Sequence, residues 1–211
     1  MQQALIASSS PAVASRCAHI RAGTGVVASQ NVTNPGLGTM VLGSLAGGAD
    51  ARSALEWALA REEFPAYRQV TIVDARGRTA VHSGARSLGV HGHAVGEQAV
   101  AAGNLLADEA VVREMLAGYR HSSAPAFEVR LLDGLSAALG AGGEAGPVRS
   151  AGLMVVEDVA WPVTDLRIDD ADDPISELKR LWRIWEPQKG DYRLRALDPT
   201  RAPSYGVEGD L

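Results

Sequence analysis

RQVTIVDARGRTAVHSG, residues 68–84, contains a hairpin signal from which the architecture can be worked out. Two runs rich in β-branched residues flank the tetrapeptide Asp74-Ala75-Arg76-Gly77. A short polar turn that contains glycine, placed between two such runs, is typical of a β-hairpin. The segment therefore predicts a pair of antiparallel strands near the middle of the chain.

Further strands and helices are predicted on both sides of this hairpin. Short apolar runs predict strands over residues 4–7 (ALIA), 25–30, 151–157 and 163–169. Apolar residues recurring at helical spacing predict helices over 50–62, 108–119 and 124–139, a further helix that starts at Asp173-Pro174, and a short helix within the glycine-rich stretch 34–48. Strands and helices are grouped rather than strictly alternating, which favours an α+β architecture over a doubly wound parallel sheet.

Composition narrows the function class. The chain has 211 residues, of which 46% are hydrophobic, and its net charge is -5. These values predict a sizeable core, and the lack of a basic stripe argues against nucleic acid as a partner. No apolar run approaches the length of a membrane span, and the first ten residues do not resemble a signal peptide. With Cys17 as its one cysteine, the chain fits a reducing, cytoplasmic setting.

We expect one domain over residues 1–186 and an extended tail over 187–211. The tail contains Pro and Gly and lacks periodicity. Trp182 and Trp185 lie on the apolar stripe of the last predicted helix. If that stripe and the tail are exposed, they predict a homo-oligomer.

Blocks distributed along the chain resemble a known bacterial family. They are ASSSPAVASRCAHIRAGTGVVASQNVTNP (7–35), RQVTIVDARGRTAVHSGA (68–85), GHAVGEQAVAAGNLL (92–106), GGEAGPVRSAGLMVV (142–156), LRIDDADDPISELKRL (166–181) and YRLRALDPTRAPSYGV (192–207). The family is domain-of-unknown-function family 1028, which is assigned to the superfamily of N-terminal-nucleophile (Ntn) hydrolases. The resemblance covers nearly the whole chain.

This resemblance implies a fold and an activity. The implied fold is a four-layer αββα sandwich, in which two antiparallel sheets lie between helices. The implied activity is hydrolysis of an amide bond in a small or peptide-like metabolite, without a cofactor. In that superfamily the first residue, Thr, Ser or Cys, is the nucleophile, and its own α-amino group acts as the base.

The start of the chain departs from that pattern. Family members carry a strand before the segment that matches ALIASSS, whereas here Met1-Gln2 precede it and neither residue is a nucleophile. Three interpretations follow: a start assigned too late, a non-catalytic member that binds ligands or acts as a scaffold, or internal cleavage, for example at Gly23-Thr24. We expect the first, because ALIA otherwise lacks a hairpin partner and leaves an open sheet edge. The nucleophile then lies outside the given sequence.

Four residues are candidates for catalytic roles. Ser8 follows the ALIA strand and is predicted either beside a nucleophile or in a polar turn before Pro11. His82 and His93 match the family blocks and are either cleft residues that bind substrate or satisfied core histidines. Asn104 offers an amide donor to an oxyanion, and its alternative is a residue of a turn or of the start of a helix.

Two further residues are candidates for substrate binding. Arg68 precedes a strand and could bind a substrate carboxylate, with a structural ion pair as the alternative. Ser150 follows Arg149 at a strand start, where many relatives carry a more basic segment. His91 and His93 have the spacing of metal ligands on a strand, but no carboxylate at ligand spacing completes the set, so we expect no metal.

Overall fold

The computed structural model describes residues 1–207, which form a mixed α+β fold of antiparallel sheets and helices. The strands are β1 (Gln2–Ser8), β2 (Ala18–Arg21), β3 (Gly25–Asn31), β4 (Arg68–Asp74), β5 (Thr79–Ser83), β6 (Val90–Gly96), β7 (Ala99–Leu106), β8 (Ser150–Val156) and β9 (Thr164–Ile168). The helices are α1 (Ala14–Cys17), α2 (Pro35–Ala46), α3 (Ala51–Leu59), α4 (Ala110–His121), α5 (Phe127–Gly140), α6 (Pro174–Trp185) and α7 (Lys189–Leu197). Short 3-10 turns cover Pro65–Tyr67 and Pro199–Arg201.

The predicted hairpin is confirmed as β4 and β5. The Asp74 carboxylate accepts hydrogen bonds from the backbone N–H groups of Arg76 (2.9 Å) and Arg78 (3.0 Å), and these bonds close the turn. The two strands belong to a sheet with the order β2-β3-β4-β5. Helices α2 and α3 cover the face of this sheet that carries the buried Val70 and Ile72.

A second sheet has the order β1-β8-β9. Its central strand β8 packs the buried Leu153 and Val155 against α5 and α6. Leu178 and Trp182 of α6 belong to the same hydrophobic cluster. Strand β1 pairs with β8 along one edge, and its opposite edge has no strand partner within residues 1–207. The predicted ALIA strand is therefore confirmed as an edge strand.

The two sheets are held near each other by a small cluster behind β1. Ile6 of β1 packs against Val13, Ala14 and Cys17 on and around α1. Gly152 of β8 permits this close approach, because a Cβ atom there would lie 2.6 Å from the Cβ of Ala14. The chain segment after β1 is thus fixed between the sheets.

A third, two-stranded sheet consists of β6 and β7 and is absent from the sequence-based expectation. Ala101 and Leu106 of β7 pack against Val111 and Val112 of α4. Asn104 lies inside β7, so its alternative placement in a turn or at the start of a helix is wrong. Glycine and alanine dominate this stretch, and they carry little strand signal.

The structure also corrects two expectations about the C-terminal region. The tail is not extended over its whole length, because Lys189–Leu197 form α7. The stripe on α6 is not exposed: Trp182 is 3% exposed, and Trp185 stacks on Tyr192 of α7 with ring centroids 5.3 Å apart. Residues 208–211 of the predicted tail lie outside the described residues. Among residues 1–207, no helix combines the length and the apolar character needed to cross a bilayer.

Candidate functional site

A cavity of about 480 Å³ follows the free edge of β1. It contacts four consecutive β1 residues, from Leu5 to Ser8, and the β7 residues from Val100 to Leu106. Consecutive strand residues point to opposite faces, so a cavity that touches all of them lies beside the strand edge. The cavity therefore fills the space between two strands that are not paired with each other.

The cavity is apolar on one side and polar on the other. Its apolar wall comes from α4 and α5, with Val111, Val112, Met115, Leu135 and Leu139 in the lining. Polar side chains gather where β1, β3 and β7 end. This group, which we call the polar pocket, consists of Ser8, Ser10, Arg16, Asn31, Asn104 and Glu144.

A serine turn forms one side of the polar pocket. Ser8 and Ser10 place their Oγ atoms 3.0 Å apart, and the Arg16 guanidinium donates to Ser10 Oγ at 2.6 Å. The buried Ser150 supports the turn from behind, donating to the Ser10 carbonyl (2.6 Å) and accepting from the Val13 N–H (3.2 Å). Since a buried hydroxyl satisfies both of these backbone groups, the turn has one defined conformation.

A network of amide side chains holds Asn104 of the polar pocket. Gln69 is fully buried, and its Oε1 accepts from Gln30 Nε2 (2.7 Å) and from Asn104 Nδ2 (3.3 Å). Its own Nε2 donates to Ser83 and to the carbonyl oxygens of Gly92 and Gly103. One N–H of Asn104 is thereby held by the network, while an Asn side chain has a second N–H to offer.

Two residues at the cavity have a left-handed backbone without being glycine. They are Asn31 (φ 74°) and Leu105 (φ 53°). The Asn31 side chain compensates locally, because it donates to the Tyr67 carbonyl at 2.6 Å and accepts from the Leu88 N–H at 3.1 Å. Strained backbone of this kind persists where surrounding contacts fix it, and it is frequent at binding sites.

The described lining carries one acidic and one basic residue. The Glu144 carboxylate accepts from the Ser9 N–H at 3.0 Å, and Arg16 bonds the serine turn. Neither takes part in an ion pair among the described residues. The polar pocket therefore presents two opposite charges, both positioned by hydrogen bonds.

Within residues 1–207 the cavity contains no activated nucleophile. The buried Cys17 thiol has a raised pKa because of its burial, which outweighs the opposing effects of the Thr33 hydroxyl and the Arg16 charge. For His19, burial lowers the pKa, because it disfavours the charged imidazolium. The His19 ring bonds the Arg16 carbonyl rather than the thiol. Ser8 and Ser10 have no histidine or carboxylate partner that could accept their protons.

Comparison with known proteins identifies the family. The family described as "Family of unknown function (DUF1028)" matches residues 4–178. The chain belongs to this family. The crystal structure of protein SPO2555 from Silicibacter pomeroyi, itself described with DUF1028, is similar with a TM-score of 0.81 and 30% identity, over 90% of this chain and 85% of that one. The comparison with curated proteins gave no match.

The structure brings together two of the six predicted site residues of this DUF1028 chain. Ser8 and Asn104 both line the cavity. His82 bonds the Pro65 carbonyl through Nε2 at 2.8 Å, His93 is exposed on β6, and neither is part of the lining. The catalytic roles of all four remain predictions. In the described part of the chain, no three His, Cys, Asp or Glu residues come together as metal ligands.

The two predicted substrate-binding residues have structural partners. Arg68 forms an ion pair with Glu62 at 2.9 Å, and both side chains are largely buried. Burial raises the pKa of Glu62, but the hydrogen bonds from Arg68, Asn34 and the Phe64 N–H outweigh it and lower that pKa overall. Ser150 supports the serine turn as described above. Neither residue lines the cavity, and a role in substrate binding stays a prediction for both.

Several residues of this family member's site were not predicted from the sequence. Arg16, Asn31, Gln30 and Glu144 line the cavity, and the buried Gln69 accepts a hydrogen bond from Gln30. A polar Gln30-Asn31 pair at the end of a predicted strand was an available signal, because strand ends often carry site residues. Arg16 and Glu144 are far apart in sequence and gave no comparable signal.

Proposed function

We propose that this protein is an amidohydrolase of the N-terminal-nucleophile type, acting on a small or peptide-like amide in the polar pocket. The arrangement of elements supports a four-layer sandwich. Helices α2 and α3 cover one sheet, α5 and α6 cover the other, and β1 and β8 contact β2 and β3 between them. This order of layers is the one that the family resemblance implies.

The observation that carries the proposal is the position of the free edge of β1. Neighbouring strands lie about 4.8 Å apart, and the cavity separates β1 from β7 along consecutive residues of both. We propose that a further strand occupies this space. If it pairs antiparallel with β1, as every described strand pair does, its first residue lies opposite Ser8. The start of such a strand would then reach the polar pocket.

The chemistry of an N-terminal nucleophile suits this location. An α-amino group has a pKa near 8, so at neutral pH a usable fraction is neutral and able to accept the proton of its own Thr, Ser or Cys side chain. The free N–H of Asn104, held in place by Gln69, would then donate to the oxyanion. The serine turn would contact the other side of the scissile amide.

Substitution of Asn104 tests the catalytic part of the proposal. On protein purified from its native host, an amide panel should reveal hydrolysis, and Asn104→Ala should reduce kcat by roughly 10²- to 10³-fold with little change in KM, because the donor acts on the transition state. Gln188→Ala, which removes an exposed side-chain amide outside the cavity, is the matched control. An unchanged kcat in Asn104→Ala would remove this residue from the mechanism.

The described cavity contains no nucleophile with a catalytic base beside it, and this favours a second function, ligand binding without catalysis. A non-catalytic family member would keep the fold and bind a ligand in the same pocket, as a binding or scaffold protein. Ligand binding without turnover in native protein, with Asn104→Ala affecting affinity alone, would favour this alternative. Turnover that depends on Asn104 would exclude it.

A further inference from the structure

Arg16 is one of the residues that line the cavity, and part of the hydrogen-bonding capacity of its guanidinium is unused. Its Nη1 donates to the carbonyl oxygens of Pro11 (2.7 Å) and Ala12 (2.8 Å), and its Nη2 donates to Ser10 Oγ. A guanidinium has five N–H groups. Three are thus engaged by the serine turn, and two are left without a partner among residues 1–207.

These bonds hold the guanidinium in a fixed orientation. Pro11, Ala12 and Ser10 belong to one turn, and that turn is attached to β8 through the Ser150 hydroxyl and to the loop after β9 through the Ala12 N–H, which donates to the Asp169 carbonyl at 2.8 Å. An arginine oriented in advance loses little side-chain entropy when it binds an anion. The two remaining N–H groups are therefore available to an anion.

One positive and one negative side chain border the cavity in the described part of the chain. Glu144 is the acidic residue of the cavity lining in the described chain, and it bonds the Ser9 N–H without forming an ion pair with Arg16. No other basic side chain belongs to that lining. A single planar guanidinium with two free N–H groups matches one carboxylate, whereas a phosphate usually attracts more than one cation.

We propose that Arg16 and Ser10 bind a free carboxylate of the substrate, so that the substrate is an amide of the N-acyl amino acid or C-terminal peptide class. This inference rests on the proposed function, because it takes the polar pocket as the substrate site. Ser8 and Ser10 then place the scissile amide between the carboxylate site and Asn104. The carboxylate, rather than the acyl group, sets the selectivity.

Binding without turnover tests the inference separately from hydrolysis. The full chain, labelled with ¹⁵N, is titrated with N-acetyl-L-phenylalanine and with its carboxamide, while the Arg16 Nε–H and Ser10 amide signals are followed. We expect the acid to bind at least about 10-fold more tightly than the carboxamide, since a hydrogen-bonded charge pair contributes that much or more. Arg16→Gln should abolish this preference, because it removes the positive charge that distinguishes the acid from the carboxamide.

Control variants keep the result interpretable. Arg21→Gln removes an exposed arginine of β2 that lies outside this cavity, and it should retain the preference for the acid. If Arg16→Gln fails to fold, as judged by thermal melting, Arg16→Lys and Ser10→Ala replace it. Each of these should weaken acid binding, because a lysine keeps the charge without the planar fork and the alanine removes the serine partner.

Three outcomes would overturn the inference: equal affinity for acid and carboxamide, a preference that survives in the Arg16 variants, or inorganic phosphate binding more tightly than the acid at this site. These outcomes are distinguishable from failure of the proposed function. Acid binding that depends on Arg16, without hydrolysis by native protein, would sustain the carboxylate site and end the hydrolase proposal. Hydrolysis of neutral amides that is unaffected by Arg16→Gln would sustain the hydrolase proposal and end the proposal of a carboxylate site.

Discussion

The hydroxyl of Ser150 donates a 2.6 Å hydrogen bond to the carbonyl of Ser10 and so connects the start of β8 to the turn after β1. Ser150 has no exposed surface. It does not reach the cavity, yet the residues that do reach it, Ser8 and Arg16, depend on the turn that it holds. A residue outside the site thus determines the geometry of the site.

Replacing Ser150 by alanine should destabilise the protein by about 2 kcal/mol, since the Ser10 carbonyl and the Val13 N–H would both lose a buried partner. Urea unfolding followed by circular dichroism measures the change. Ser15→Ala, at an exposed serine that bonds a carbonyl of the same segment, is the control and should change stability by less than about 0.5 kcal/mol. Equal effects from the two variants would show that the turn does not rely on Ser150.

Gln69→Leu should destabilise the protein by about 3 kcal/mol, because it leaves partly buried partners on β5, β6 and β7 without their hydrogen bonds. The same change frees the Asn104 side chain, so the Asn104 amide signals in an NMR spectrum should broaden or shift. The exposed Gln188→Leu provides the comparison. A stable Gln69→Leu variant with unchanged Asn104 signals would contradict this account of the network.

Acid should weaken the fold through Glu62. Its folded-state pKa is lowered overall, because the hydrogen bonds from Arg68, Asn34 and Phe64 outweigh burial, which raises it. Unfolding then takes up a proton in acid. The stability that ionised Glu62 contributes is complete above its unfolded-state pKa of about 4.3. It is lost as the pH falls through the lower folded-state pKa.

Glu62→Gln should therefore cost about 2 kcal/mol near pH 7 and should flatten the loss of stability below about pH 4.3. Urea unfolding at a series of pH values measures both the loss of stability near pH 7 and its dependence on pH in acid. Glu56→Gln, in an exposed pair with Arg52, serves as the control and should change little at either pH. A Glu62→Gln profile parallel to that of the wild type would exclude Glu62 as a source of the acid sensitivity.

Lys189→Met should destabilise the protein by about 3 kcal/mol. Lys189, at the start of α7, forms a 2.7 Å ion pair with Glu128 of α5, whose side chain is only 2% exposed. The variant leaves this carboxylate buried without its partner. Thermal melting of Lys189→Met beside Arg180→Met, which breaks an exposed pair with Glu177, isolates the effect of burial. Similar melting temperatures for the two variants would mean that α7 is not held by this pair.

Much of the fold could be predicted from local patterns. The hairpin around Asp74 and the helix that begins after Asp50 carry their signals within a few residues, because turn and cap chemistry is local. The β6 and β7 pair was missed, since its glycine- and alanine-rich strands are fixed by packing on α4 rather than by propensity. Helix α7 was missed for a similar reason, as it is secured by the Lys189 contact and by stacking on Trp185.

The site was only partly predictable. Ser8 could be chosen because it follows an apolar run, and Asn104 because its side-chain amide can donate to an oxyanion. Arg16 and Glu144 could not, because no local pattern shows that residues so far apart in sequence line one cavity. His93, chosen because imidazole is chemically versatile, is exposed on β6 and does not line this cavity, and its role stays a prediction.

The central claim is that a nucleophile strand pairs with the free edge of β1 and begins at the polar pocket. The most direct measurement is the intact mass and N-terminal sequence of the protein purified from its native host. We predict a first residue of Thr, Ser or Cys on a segment that precedes ALIA, together with amide hydrolysis. A mass that corresponds to a chain starting at Met1, without amidase activity, would contradict the claim.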